Sequence, residues 1–465
     1  MGSSYRLILV LVLAAAAGCS SDDVPESGPQ PPRSRPPTVT ESSPEALIRV
    51  LDGDTKRVVK RALVRVRGGG ARVDDEGVAR VQVGDSRRVH VRVSARGYIS
   101  RRTSLPVRTD RPATVRLWRH DLQWPLYGVN AARTQAQAAS KLRPPFRVVW
   151  RVEFSSLLEY PATVWEGVAY LLTYSGRLRA ISTKNGQLLW RRKVGSRAAS
   201  SPAVDPKRRQ LIVTTKEPGQ VKIVDMDTGK VRWGRQTARV ESSPVVAGKL
   251  AYFGDDSGRL YALDLERRKF RWTVSGASKI TSSVTLAGGR LYFGDYAGRV
   301  FALNPRSGRR LWTGSAGTRV YGTVAAAGGR VFAPSVFSGL SALSARNGRL
   351  LWRVPAGSYV YSSPAYYKGR VYFGSYAGLV YCVNAKSGRV IWRAGTGGSV
   401  SGAVVVVGGV VYAGSFNYRI SAFNWRSGRR LWSFPNGRYV PVSANGGRIL
   451  LHGARTLYGA APKRG

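Results

Sequence analysis

Carboxylates are scarce in this 465-residue chain, and they stop early. Asp and Glu number 26 against 74 Lys and Arg, a formal net charge of +48, and none occurs from Tyr296 to Gly465, where 23 Lys or Arg remain. That stretch therefore cannot supply paired acids or the carboxylates of a calcium cage. Cysteine is nearly missing as well. Cys19 and Cys382 give no disulfide framework and no adjacent pair. The three histidines, His90, His120 and His452, fall in different segments without zinc-type spacing, and no Ser-rich segment has a His beside it to activate a nucleophile. His452 and Cys382 are read as packed core residues. The apolar run at 7–17 is shorter than the roughly 20 residues a membrane-spanning helix needs.

That run follows a single Arg and has the length of a secretory signal, placed at 1–18. The sequence Ala16-Ala17-Gly18-Cys19 resembles a bacterial lipoprotein cleavage box, with Ala where Leu is usual. The resemblance implies cleavage before Cys19 and a diacylglycerol on its thiol, so that the membrane becomes a partner through the lipid. An ordinary secretory signal with an incidental Cys is the alternative. Residues 19–45 are rich in Pro, Ser and charge and read as an extended tether. The chain is thus expected at the cell envelope, in the periplasm or on the outer face of the cytoplasmic membrane.

So basic a surface attracts polyanions, although an Arg-rich composition without a ligand would look the same. Nucleic acid is a poor partner for an exported chain. An envelope protein or an anionic envelope polymer fits better, and the chain is expected as a monomer.

Residues 46–119 alternate apolar and basic side chains, as in "RALVRVRG" and "RVHVRVSARGY", the period of half-buried antiparallel strands. The "ALV" at 62–64, the "DDEG" turn at 74–77 and the "ARGY" ending at Tyr98 resemble the prealbumin-like, carboxypeptidase regulatory-like sandwich. An immunoglobulin-like module is the alternative reading.

The rest of the chain repeats itself. Trp150, Trp190, Trp233, Trp272, Trp312, Trp352, Trp392 and Trp432 stand 40, 43, 39, 40, 40, 40 and 40 residues apart, each following several strand-like runs. Such a period signals a β-propeller, with the tryptophans packing blade against blade. In "RLYFG" and "RVFALN" apolar side chains occupy both faces, as strands covered on both sides require. After Trp432 three strand-like runs remain, and the fourth lies upstream in "FRVVWRVEF". The expected fold is all-β: an eight-bladed propeller at 146–462, closed by pairing its first and last strands, behind a lead-in segment at 120–145 and the small sandwich. Seven blades with Trp150 outside the ring is the alternative.

"GRVYFGSYAGLVYCVNAKSGRVIW" and the lead-in "WPLYGVNAARTQ" resemble pyrroloquinoline-quinone (PQQ)-type propeller repeats. The resemblance implies the fold and leaves two functions: quinone-dependent dehydrogenases, or non-enzymatic relatives of the BamB type, lipoproteins that assist outer-membrane protein assembly. The dehydrogenase branch implies calcium, a carboxylate base and often a vicinal disulfide, which this chain lacks. No cofactor is therefore expected, and the function expected is non-catalytic binding or scaffolding. A PQQ-dependent oxidoreductase is the alternative.

Most early carboxylates, Asp225, Asp255, Asp264 and Asp295 among them, occupy turn or tip positions, where Asp bonds its own backbone. Glu159 and Glu241 precede first strands, near the mouth of the channel. The same loops place Arg197, Arg239, Lys279 and Arg319 in one column, continued by Tyr359, with Tyr321, Tyr361 and Tyr439 beside them. This arc is the candidate anion-binding rim. Neighbouring cations about 10 Å apart in water repel by only ~0.4 kcal/mol, so the fold tolerates the arc without a ligand.

Overall fold

The computed structural model describes residues 44–84 and 87–463. The signal at 1–18, Cys19 and the tether up to residue 43 lie outside the described residues. Among the described residues every regular element is a β-strand apart from one 3-10 turn, His120–Leu122, and no described helix is long and apolar enough to cross a membrane.

The first strand, Glu45–Asp52, pairs antiparallel with Val78–Gln82 and parallel with Ala113–Leu117. A second sheet runs Gly69–Arg72, Leu63–Val66, Arg88–Ser94, Arg101–Pro106. Alternation decides which side faces in: Val89, Val91 and Val93 are buried while Arg88, His90 and Arg92 are exposed. They meet Ile48, Val50, Val64, Val115 and Leu117 in one core. Each such side chain contributes on the order of 1.5–3 kcal/mol of burial.

The remaining chain forms a β-propeller. Seven sheets contain four consecutive strands each, spanning 163–193, 203–236, 245–274, 285–315, 325–354, 365–395 and 405–435, and the seventh adds Ala136–Gln137 as a fifth, parallel strand. An eighth contains Gly437–Ala444, Ile449–Gly453 and Thr456–Pro462, with Phe146–Glu153 as its outer strand and Trp150 opposite Gly459. In the fourth sheet, Leu291, Tyr292 and Phe293 are all buried, as are Val300, Phe301 and Ala302 on the neighbouring strand. Both faces of these middle strands are covered because the fourth sheet packs against the third on one side and the fifth on the other.

The tryptophans link the sheets. Trp312 donates its indole N–H to the Ala345 carbonyl at 3.1 Å, 33 residues on in the next sheet. Trp150, Trp190, Trp272, Trp352 and Trp392 make the corresponding bond to Thr183, Met226, Pro305, Ala385 and Trp425. The ring lies on the glycine of a turn: Gly348 has φ +76°, and a Cβ there would stand 2.5 Å from Trp312. Trp432 instead packs edge-on against Phe146 at 5.4 Å. Trp233 makes no indole hydrogen bond among the described residues. The turn it should meet carries Arg268, at φ 55°, where its counterparts carry glycine.

The lead-in does more than deliver the chain to the ring. Without it, the innermost strand of each sheet would leave polar backbone groups unpaired at the channel wall. Trp124 exchanges two backbone bonds with Val164 in the first sheet, and Pro125 accepts from Val204 in the second. Ala131, Ala132, Thr134 and Gln135 then accept from Leu286, Ala326, Tyr366 and Val406 in the fourth to seventh sheets. The Gln137 side chain reaches the Ala444 carbonyl of the eighth at 3.2 Å. Arg133, 1% exposed, serves the third and fourth: it donates to the Ser243, Pro244 and Val284 carbonyls at 2.9, 3.0 and 2.9 Å, and to Tyr127 of its own segment. Burial without a facing carboxylate holds the Arg133 guanidinium below its ordinary pKa.

The sandwich touches the propeller through Asp54, which accepts the Gly446 N–H at 3.0 Å. A Cβ on Gly446 would lie 2.7 Å from that carboxylate, so a side chain there would displace Asp54.

Candidate functional site

One backbone bond, repeated sheet after sheet, assembles the channel mouth. The residue two places before each inner-ring position accepts the N–H of the hairpin tip of its own sheet. The pairs are Leu157 with Tyr174, Arg197 with Lys216, Arg239 with Asp256, Lys279 with Tyr296, Arg319 with Val336, Tyr359 with Tyr376 and Ser399 with Phe416. Two residues on, at spacings near 40, stand Glu159, Ala199, Glu241, Thr281, Tyr321, Tyr361 and Ser401. Glu159, Thr281, Tyr321, Tyr361, Ser401 and Tyr439 line a cavity of about 100 Å³. Its floor is Tyr127 of the lead-in, whose hydroxyl lies 2.9 Å from Ser363 Oγ.

The column therefore holds Arg197, Arg239, Lys279 and Arg319 at equivalent positions, but their charges are largely occupied. Arg197 and Arg239 share Glu217, at 3.2 and 3.8 Å. Lys279 sits between Asp256 at 3.0 Å and Glu241 at 3.4 Å. Arg319 has no carboxylate partner among the described residues and stacks over Tyr296 at 4.7 Å. Glu217 and Asp256 come from hairpin tips, which the column argument did not include.

The two sides of the mouth differ. Sheets two and three contribute Lys216, Glu217, Glu241 and Asp256. The later sheets contribute a chain of aromatic contacts: Tyr296–Tyr321, Tyr321–Tyr361, Tyr361–Tyr376, Tyr376–Phe416 and Phe416–Tyr439, with ring centroids 5.0–6.3 Å apart. Phe337, Tyr359 and Tyr418 are exposed at 64%, 45% and 50%. Arg438 stacks on Phe416, Tyr418 and Tyr439.

Glu241 is 5% exposed and bonds Lys216 at 2.7 Å. Burial pushes the Glu159 carboxyl above its ordinary pKa; the nearby Glu241 adds to this, while Lys216 and Arg438 oppose it. Burial raises Asp256 as well, against its bond to Lys279. Burial pulls Lys279 down, but Asp256 and Glu241 outweigh it and leave the ammonium above its ordinary value.

Asp225, Asp255, Asp264 and Asp295 each accept backbone N–H groups of their own turns, as their positions imply. His452 is buried, and its Nε2 accepts the Ala162 N–H at 3.0 Å. Cys382 is buried within a sheet. Among the described residues, no three His, Cys, Asp or Glu side chains converge to hold a metal ion. With no vicinal cysteines and a channel floored by the lead-in, the residues do not fit a calcium–quinone pair.

A 109-residue stretch is 29% identical to the outer membrane protein assembly factor BamB of Escherichia coli K12, covering 23% of this chain and 26% of that one. The match thus spans about a quarter of the curated relative's length. The crystal structure of BamB from Moraxella catarrhalis superposes with TM-score 0.59 at 15% identity, over 68% of this chain and 100% of that one. Quinohemoprotein alcohol dehydrogenase from Comamonas testosteroni gives TM-score 0.64 at 13% identity, over 74% and 81%. These structural likenesses show a shared fold. The family described as outer membrane protein assembly factor BamB matches residues 110–275 and 268–465, and the chain belongs to that family.

Proposed function

We propose that this chain is an exported, lipid-anchored, eight-bladed propeller with a non-catalytic binding role at the cell envelope, holding a protein partner during outer membrane protein assembly. Family membership over most of the propeller carries the reading. The pairing of Phe146–Glu153 with Thr456–Pro462 supports a closed ring. The box ending at Cys19 supports a lipid at the end of the tether. The exposed aromatic and Arg side chains at the channel mouth are of the kind that dominates protein interfaces. An anionic polymer is the less favoured partner, because three of the four column cations already face carboxylates.

Two experiments test the reading. Deleting the gene from its host should lower the amount of folded outer-membrane β-barrel protein, and a Cys19→Ala chain that leaves the membrane fraction should not restore it. Unchanged barrel levels would remove the assembly role. Purified protein given PQQ and calcium should reduce no dye with alcohols or sugars; turnover would establish the oxidoreductase instead.

A further inference from the structure

The charges at the channel mouth form an alternating series that ends one member short. Asp256 bonds Lys279 at 3.0 Å, Lys279 bonds Glu241 at 3.4 Å, and Glu241 bonds Lys216 at 2.7 Å. Next comes Glu159, on whose titration Lys216 and Arg438 both act, yet with no hydrogen bond or ion pair among the described residues; Arg438 is stacked on Phe416, Tyr418 and Tyr439 instead. The five groups comprise three carboxylates and two cations. In a chain carrying 74 Lys and Arg, a carboxylate left without a partner at a cavity wall is conspicuous.

The walls around Glu159 have a matching character. Tyr160, Tyr321, Tyr361 and Tyr439 line the same cavity. Tyrosine faces attract cations, most strongly where water is displaced. A hard metal ion would want six or more oxygen ligands with several carboxylates, which this wall does not offer. A volume of about 100 Å³ admits a small charged headgroup and its adjoining methylenes, not a fused-ring cofactor or a polymer segment.

We propose that this cavity binds one organic cation, a primary ammonium or guanidinium group, which pairs with Glu159 between the tyrosine rings and completes the charge series. The site is distinct from the rim first expected to take anions, and it does not depend on an assembly role. The cation comes either from a free small amine or from a Lys or Arg side chain inserted by a partner.

Calorimetric and NMR titrations of the full chain with n-propylammonium, with methylguanidinium and with a short Lys- and Arg-containing peptide would test this, with 1-propanol and propionate as uncharged and anionic controls. At least one cation should bind and shift the cavity tyrosine resonances, and the controls should not. Glu159→Gln should weaken binding roughly tenfold or more without lowering the melting temperature, because the carboxylate it removes has no internal partner. Glu217→Gln, outside the cavity, should leave binding unchanged. Binding of the free cations marks a small-amine site, and binding of the peptide alone marks a partner's side chain. Failure of both cations and the peptide to bind, equal binding of 1-propanol, or undiminished binding by Glu159→Gln would overturn the proposal.

Discussion

A Cβ added to Gly348 would stand 2.5 Å from the ring of Trp312, whose N–H is bonded to the Ala345 carbonyl three residues before that glycine. The turn and the ring are thus fitted to one another across a sheet boundary. Gly348→Ala must move the indole and place a side chain at φ +76°. It should cost about 2–4 kcal/mol in chemical denaturation, with loss of the Trp312 packing signal in near-ultraviolet circular dichroism. An alanine tolerated within 0.5 kcal/mol of wild type would contradict this account of sheet contact.

The third sheet offers the reverse experiment. Arg268 holds φ 55° where the other turns use glycine, and Trp233 lacks the usual indole bond. Arg268→Gly should relieve left-handed strain, partly offset by a freer unfolded chain, for a net gain of about 0.5–1 kcal/mol. Trp233 fluorescence should shift as its N–H engages the turn carbonyl at Leu265.

Arg133 ties the lead-in to two sheets through carbonyls alone. Arg133→Met would leave the Ser243, Pro244 and Val284 carbonyls without these donors in a dry interior. The expected loss is about 3 kcal/mol or more. Arg133→Lys should recover little of it, since an ammonium cannot span the same fork. Hydrogen exchange at Leu286, Ala326 and Tyr366 would report loosening of the channel floor.

Two groups, the half-buried Asp54 and the buried His452, give the stability opposite pH slopes. Burial raises Asp54 from 3.8 to about 7, with the Gly446 N–H opposing and Asp52 adding to the shift, and Arg448 opposing it. The folded state therefore holds a proton the unfolded state gives up, and this contribution is lost as pH rises from about 4 through 7, by roughly 4 kcal/mol at most. Asp54→Asn should flatten that limb of the melting-temperature profile.

His452 acts at the other end. Burial lowers it from 6.5 to about 4, so the folded state resists a proton that the unfolded state takes up. Stability falls as pH drops from 6.5 toward 4, by roughly 3 kcal/mol. His452→Gln, which keeps an acceptor for the Ala162 N–H, should reduce the acid limb. A profile unchanged by either substitution would assign the pH dependence to other groups.

Much of the propeller was legible in the chain because it rests on periodic features. Trp spacing, apolar side chains on both faces of the middle strands and Asp at turn positions are local signals repeated many times, so errors at one repeat are corrected by the others. The individual groups at the mouth were legible too: Glu159, Glu241, Tyr321 and Tyr361 follow from counting within the repeat. Their partners were not. Glu217 and Asp256 reach the column from hairpin tips, and the count along one column leaves the tips out. The lead-in was recognised only by resemblance, since an irregular segment that satisfies strand edges has no period to reveal it.

The sequence by itself determined the units: alternating strands in the sandwich, a repeated four-stranded sheet, and a tryptophan to join each sheet to the next. Those follow from side-chain patterns that act within a few residues or one repeat. Only the tertiary structure decided the character of the channel mouth. The net charge of a cluster depends on which groups approach within a few ångströms, and here they come from separate sheets and from a lead-in that closes the channel beneath them. A column of cations in the sequence thus became, once folded, three cations facing carboxylates and a fourth, Arg319, stacked on Tyr296, with Glu159 unpaired across the mouth.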